Sequence, residues 1–351
     1  MGKMKNINLE SIGLKPLCPT VIGSSPFPGW FSLFIEQNYL HPEKFGAADY
    51  EEALNDATRI AVYDQIQSGV ELVSAGEMAR IDFNLGFYDF IEGIRPLPIQ
   101  RKLGVPAHDQ RGKYVCVEKI SAPNGLGIID EYRKITSITN MPKKVPVPGP
   151  FTLAGRLEGG KIYKNRTEIT EALIPMINKE IKDLINEGCN FIQLDEPSFA
   201  CHPDNPNDFI RIINDSLFGV KNAYISMHMC FGNYKARAVA ERRYSPLFPN
   251  LLKANVQQFA LEFASREMAE IEILKTVTDA EKSVAVGLID VKNLWVEPVE
   301  VIIRRIQKCL EYSPPELLHI TADCGFSQTA RYAAVEKMKN MALAVAKVRG
   351  K

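Results

Sequence analysis

The chain has no excess of charge of either sign. Lys plus Arg number 42 and Asp plus Glu number 42, so the formal net charge is zero. That balance gives no footing to a nucleic-acid partner or an anionic membrane surface. No apolar run reaches transmembrane length, and the opening stretch MGKMKNINLESIGLKP lacks the apolar centre of a secretory signal. There is no internal repeat, no low-complexity tract and no linker long enough to divide the chain. Histidine is scarce, at five in 351 residues, and cysteine numbers seven. In a cytoplasmic protein, the expected compartment, those thiols stay reduced and serve as buried residues or metal ligands.

What is present is apolar and rhythmic. Hydrophobic residues make up 46%, enough for a sizeable core. Short apolar runs at 20–24, 71–77, 144–150, 190–197, 223–230, 257–263, 283–290 and 317–324 read as strands. Stretches with apolar residues every three or four positions separate most of them. In 166–187, Ile169, Leu173, Met176, Ile177, Ile181, Leu184 and Ile185 form one stripe. Asn165 with Glu168 predicts its N-terminal cap, Gly188 its C-terminal one, and Pro175 a bend. Eight strands alternating with helices predict an α/β fold, a (β/α)8 TIM barrel, as one domain over 1–351. Residues 1–18 read as an N-terminal segment outside the barrel. Residues 98–138 break the rhythm with alternation and turn formers, and predict an insertion with a β-hairpin after the second strand region.

Barrel enzymes place their chemistry at the C-terminal ends of the strands. Here those ends carry Ser24, Ser25, Glu77, Asp195, Glu196, His228, Cys230, Glu262, Asp290, Asp323 and Cys324. Residues i and i+2 of a strand share a side, so His228 and Cys230 can converge on one ion. Imidazole with soft thiolate suits Zn²⁺. Cys324 is the candidate third ligand and Glu262 the candidate fourth. Cys18, Cys116, Cys189, Cys201 and Cys309 read as packing residues, and His41, His108, His202 and His319 as surface or core histidines. Glu196 precedes Pro197, and the next strong helical stretch starts near Asn205, which speaks against a helix cap at Asp195–Glu196.

Seven motifs, VIGSSP, SAGE, IQLDEPSFA, HMCFGNY, ALEFAS, GLIDVKN and ADCGF, occur in an order and spacing that resemble the catalytic barrel of the cobalamin-independent methionine synthase family. The resemblance spans about residues 19 to 345. It implies zinc-dependent alkyl transfer to a thiol, most directly methyl transfer to homocysteine. By the same resemblance His228, Cys230, Glu262 and Cys324 match the zinc ligands. Asp195 and Glu77 match contacts to the substrate's amino group, and Gly23 and Ser24 match the loop that meets its carboxylate. The folate-using family enzyme has two barrels and carries a histidine where this chain has Lys292. Asp290 and Lys292 are therefore the candidate catalytic pair, with methyltetrahydrofolate disfavoured as donor.

The short, single-barrel members are the nearer likeness. They include methionine synthases that take methyl from a corrinoid protein, epoxyalkane:coenzyme M transferase and methylcobalamin:coenzyme M methyltransferases. Coenzyme M carries a sulfonate and calls for cations, for which Arg80, Lys292 and Arg266 are candidates. Asp195 and Glu77 favour an ammonium-bearing substrate instead. A barrel with purely structural zinc, or a metal-free decarboxylase-like relative, fits the open ligand set and the His-x-Cys pair less well.

Overall fold

The computed structural model describes residues 12–80, 85–98, 112–202, 206–233, 238 and 240–350. The ten strands among these described residues, in chain order, are β1 (Cys18–Pro19), β2 (Glu92–Pro96), β3 (Tyr114–Ser121), β4 (Val145–Pro148), β5 (Leu157–Glu158), β6 (Phe191–Asp195), β7 (Tyr224–Met229), β8 (Gln258–Glu262), β9 (Ser283–Ile289) and β10 (Leu318–Ala322). Seven form one curled parallel sheet in the order β1-β10-β9-β8-β7-β6-β4. Every residue of β4 and of β6 to β10 is buried. Near-continuous apolar runs are what a parallel sheet covered by helices requires. Isolated parallel bridges join Thr20 to Leu72 and Val73 to Lys143, so residues 72–73 lie between the continuations of the two edge strands.

The register sets the site. Asp195 stands opposite His228, Met229 opposite Leu261, and Glu262 opposite Gly287, so the strands end level with one another. The helix Arg166–Asn186 packs its apolar stripe inward, with Leu173, Ile177, Ile181 and Leu184 fully buried. Truncating one of these to Ala removes about 2–5 kcal/mol of stability. Asn165 caps that helix by accepting from the Glu168 amide at 3.0 Å, and Gly188 takes φ +97° just beyond it. Pro175 lies within the helix.

The segment 98–138 differs from the sequence expectation in two ways. β2 pairs antiparallel with β3, but β2 begins before the expected insertion, and residues 99–111 between the two lie outside the described residues. Ile128–Ile138 is a helix rather than part of a hairpin. Ile128, Tyr132 and Ile135 form a short buried stripe there that the alternation upstream obscures. Its first turn has no side-chain cap of its own; Glu180, from Arg166–Asn186, accepts from the amides of Leu126 (2.9 Å) and Ile128 (3.2 Å). Among the described residues, no helix is long and apolar enough to cross a membrane.

Candidate metal centre and active site

His228, Cys230 and Cys324 offer ligand atoms that all lie within 4.8 Å of one another. The two sulfurs are 3.7 Å apart. His228 Nδ1 is 2.9 Å from Asp195 Oδ1, which also accepts from the Gln193 side-chain amide at 2.8 Å. An ionised carboxylate can only accept, so His228 donates through Nδ1. That leaves Nε2 bare: it is buried and has no hydrogen-bond partner. An unpartnered imidazole nitrogen beside two close thiols is a donor set that fits Zn²⁺.

The electrostatics follow from burial and these contacts. Burial pulls the His228 imidazole down, yet the bond to Asp195, with Cys324 adding, lifts it to about 9. Cys324 is held well below the usual thiol range by the hydrogen bond from Cys230, with His228 and Lys292 contributing. The same bond, with burial, pushes Cys230 well up.

Glu262 stands apart from the three-donor cluster. Lys292 Nζ lies 3.2 Å from both its oxygens, Ser265 Oγ donates to Oε1 at 2.9 Å, and the Phe231 amide donates to Oε2 at 3.2 Å. Burial opposes the Lys292 charge, but Glu262 together with Asp323, Cys324 and Cys230 outweighs it and raises the ammonium's pKa. Asp290 holds the loop that carries Lys292. It accepts from the Lys292 amide at 2.8 Å and from the Asn293 side chain. The loop is fastened from below by the fully buried Lys337, which donates to the Asp290 carbonyl and to Glu297, each at 2.8 Å, and to the Trp295 carbonyl.

A cavity of about 820 Å³ opens over the cluster, lined there by Ser24, Glu77, His228, Cys230 and Cys324. Glu77 sits at φ +56°, a left-handed conformation that turns the chain back into the cavity. Burial pushes its carboxyl up to about 7, against the opposing charge of Arg80 at 3.3 Å. A Cβ at Gly23 would fall 2.3 Å from Glu77 Oε1, so only glycine lets this carboxylate approach the loop before Ser24. Asp195 reaches the cluster through Oδ1, and among the described residues its Oδ2 accepts no hydrogen bond.

The structure reassigns other polar strand ends. Glu196 is a cap after all, though for a different segment: it accepts from the amides of Phe151 (2.9 Å) and Thr152 (3.0 Å) and from the Thr152 hydroxyl. Pro197 does not delay the chain's next helix, because Pro197–Cys201 is a short helix with that proline in its first turn. Asp323 accepts from the amides of Phe263, Ala264 and Ser265 and holds the turn after β8. Among the cations, Arg80 grips Glu131 at 2.8 and 2.9 Å and Arg266 pairs with Glu270. Arg156 lines the cavity and was missed by sequence reasoning; among the described residues it has no partner. Lys144 and Gln193, behind Asp195, were also missed. A charged or amide side chain inside an apolar strand run was their one signal.

Comparison with known proteins now decides the family. The family model described as "Cobalamin-independent synthase, Catalytic domain" matches residues 17–347. The chain belongs to the cobalamin-independent methionine synthase family. It is 32% identical over 336 residues to a methionine synthase of Pyrococcus horikoshii, covering 95% of this chain and 94% of that one. It is also 32% identical to a methionine synthase of Saccharolobus solfataricus, covering 93% of each. In fold it matches the B12-independent methionine synthase of Shewanella sp. W3-18-1, solved with selenomethionine. The TM-score is 0.80 at 24% identity, covering 96% of this chain and 98% of that one.

Proposed function

We propose that this family member is a zinc-dependent methyltransferase that places a methyl group on the sulfur of homocysteine, giving methionine. The observation that carries the reading is the placement of the bare His228 Nε2 and two thiols at the floor of a cavity, with Glu77 beside them. His228, Cys230 and Cys324 would hold the metal, with Glu262 as the fourth ligand once released from Lys292. Bound there, Zn²⁺ supplies a Lewis acid that keeps a substrate thiol in its nucleophilic, deprotonated form.

The chain's own residues do the rest. Asp195 Oδ2 and Glu77 take the substrate ammonium, while the Gly23–Ser24 loop takes its carboxylate. These contacts aim the sulfur at the cluster. The thiol gives up its proton to solvent in the open cavity, its sulfur forms the new S–C bond, and the donor departs with the electron pair of the bond it loses. Lys292, fixed by Asp290 and charged, stands ready on the donor side. A cavity of about 820 Å³ is in the range that holds drug-sized ligands, roughly 300–1,000 Å³, and leaves room for a donor such as a corrinoid-borne methyl group.

The fold reading goes with this. The bridges at Thr20–Leu72 and Val73–Lys143 support an eight-staved (β/α)8 barrel closed through residues 72–73. The chain is then a single cytoplasmic barrel domain, whose sheet already begins at Cys18 rather than after an 18-residue segment. The alternative, coenzyme M as the thiol, needs a free cation for its sulfonate. Arg80, Lys292 and Arg266 are all engaged, which leaves Arg156.

The test is to offer the zinc-loaded protein homocysteine or coenzyme M together with methylcobalamin, methyltetrahydrofolate or an epoxide, and to identify products by mass spectrometry. Methionine is the expected product. Coenzyme M alkylation without methionine overturns the reading.

A further inference from the structure

The cluster continues downward into the core. Lys144, the residue before β4, is 2% exposed, and its Nζ donates to Gln193 Oε1 at 2.8 Å. Gln193 is fully buried on β6, two residues before Asp195 and so on the same face of the strand. Its Nε2 donates to Asp195 Oδ1 at 2.8 Å, and Asp195 Oδ1 lies 2.9 Å from His228 Nδ1. Four side chains from three neighbouring strand runs thus form one string that ends on the bare Nε2.

The direction of this string is set at Asp195. An ionised carboxylate can only accept, so Gln193 turns its NH₂ and His228 its Nδ1–H toward it. Gln193 then presents its oxygen to Lys144, whose Nζ donates to it and holds the amide, and through the amide Asp195, in place. Lys144 has no carboxylate within ion-pairing distance among the described residues, and burial pulls its pKa down to about 7. A buried ammonium with a single amide partner is expensive to keep for packing alone.

We propose that Lys144 and Gln193 are positioning residues that hold Asp195 Oδ1 against His228 Nδ1, so that Nε2 is kept facing Cys230 and Cys324. The inference rests on the metal-binding reading above. Outer partners of a metal-bound histidine carry a large part of a site's affinity, typically 10–100-fold when removed.

The experiment compares wild type with Gln193→Glu, Gln193→Leu, Lys144→Met and Lys144→Arg. Zn²⁺ affinity is measured by competition with a chromophoric chelator, ligand geometry by the visible spectrum of the Co²⁺-substituted protein, and folding by thermal melts. Gln193→Glu keeps the shape and a partner for Lys144 but removes the donor to Asp195. It should weaken Zn²⁺ binding about 10- to 100-fold and alter the Co²⁺ spectrum while remaining folded. Lys144→Met should follow in the same direction, with Lys144→Arg restoring part of the loss. Folded Gln193→Glu and Lys144→Met proteins with wild-type Zn²⁺ affinity and Co²⁺ spectra would overturn the positioning role and leave the metal site intact. A wild-type chain that takes up no zinc removes the reading itself, and this inference with it.

Discussion

Two histidines on strands of the same sheet, His228 near the end of β7 and His319 near the start of β10, are both buried and meet opposite fates. Each has one ring nitrogen hydrogen-bonded and the other without a partner. Behind His228 stands a carboxylate, Asp195, and in front stand two thiols. Behind His319 stands an amide, Gln258, 3.1 Å from Nδ1, and beside it the ring of Phe191 stacks at 6.4 Å. Asp195 accepts a hydrogen bond from the first ring, while the Gln258 amide donates one to the second. The unpartnered nitrogen of His228 can therefore offer a lone pair once a metal displaces its proton, whereas that of His319 is held as an N–H. Only the former is placed to hold a metal. Burial, with the charges of Lys144 and Arg349, pushes His319 down to about 3, whereas Asp195 lifts His228 to about 9. Residue type and burial are shared; the partner behind the ring separates a candidate ligand from a packing residue.

The strongest challenge to that contrast removes the thiols. Cys230→Ser and Cys324→Ser should each lower zinc affinity by at least about 100-fold. Cys189→Ser, which removes a buried thiol ahead of β6 and outside the three-donor cluster, should leave metal content unchanged by elemental analysis. Next come the rings themselves. His228→Gln should abolish tight metal binding in a folded protein. His319→Gln should keep the metal and lose about 1–3 kcal/mol of stability in denaturant titrations, as buried polar partners are rearranged.

The pH dependence sharpens the comparison further. His319 has a folded pKa near 3 against an ordinary value of 6.5, so between these the unfolded chain binds more protons. Stability from this group is present above pH 6.5 and is lost as pH falls toward 3. Wild type minus His319→Gln should therefore show a slope of up to about 1.4 kcal/mol per pH unit in that window, measured by denaturant midpoints. A slope of the opposite sign would mean that His319 is charged in the fold. The smallest effect concerns the cavity wall. Arg156→Ala should raise the KM for an anionic methyl donor a few-fold, in line with a partly exposed charge, and leave the KM for homocysteine unchanged.

Much of the frame was readable from the chain because a buried parallel strand must be apolar along its length. Six of the eight apolar runs fall on sheet strands, while 20–24 and 71–77 meet the sheet only at the bridging residues Thr20, Leu72 and Val73. The cluster was readable for a related reason: alternation puts His228 and Cys230 on one face, and level strand ends bring Cys324 to them. The pairings were not. Arg80 meets Glu131 from 51 residues away, and Lys292 meets Glu262 from 30, and no local pattern encodes such distances. The helix at 128–138 escaped because its first turn is satisfied by Glu180, from a later helix, and so lacks a local start signal. Gln193 looked like one more residue of an apolar strand, although it shares a face with Asp195.

The fastening of the loop after β9 by Lys337 has an evolutionary consequence. Lys337 holds the backbone carbonyls of Asp290 and Trp295 and the side chain of Glu297, and touches nothing that depends on which residue stands at 292. The loop's shape is thus insulated from the residue at its tip. The side chain at 292 can change without loss of the contacts that hold the loop's backbone. The shape of this loop and the charge it carries at 292 are therefore inherited separately.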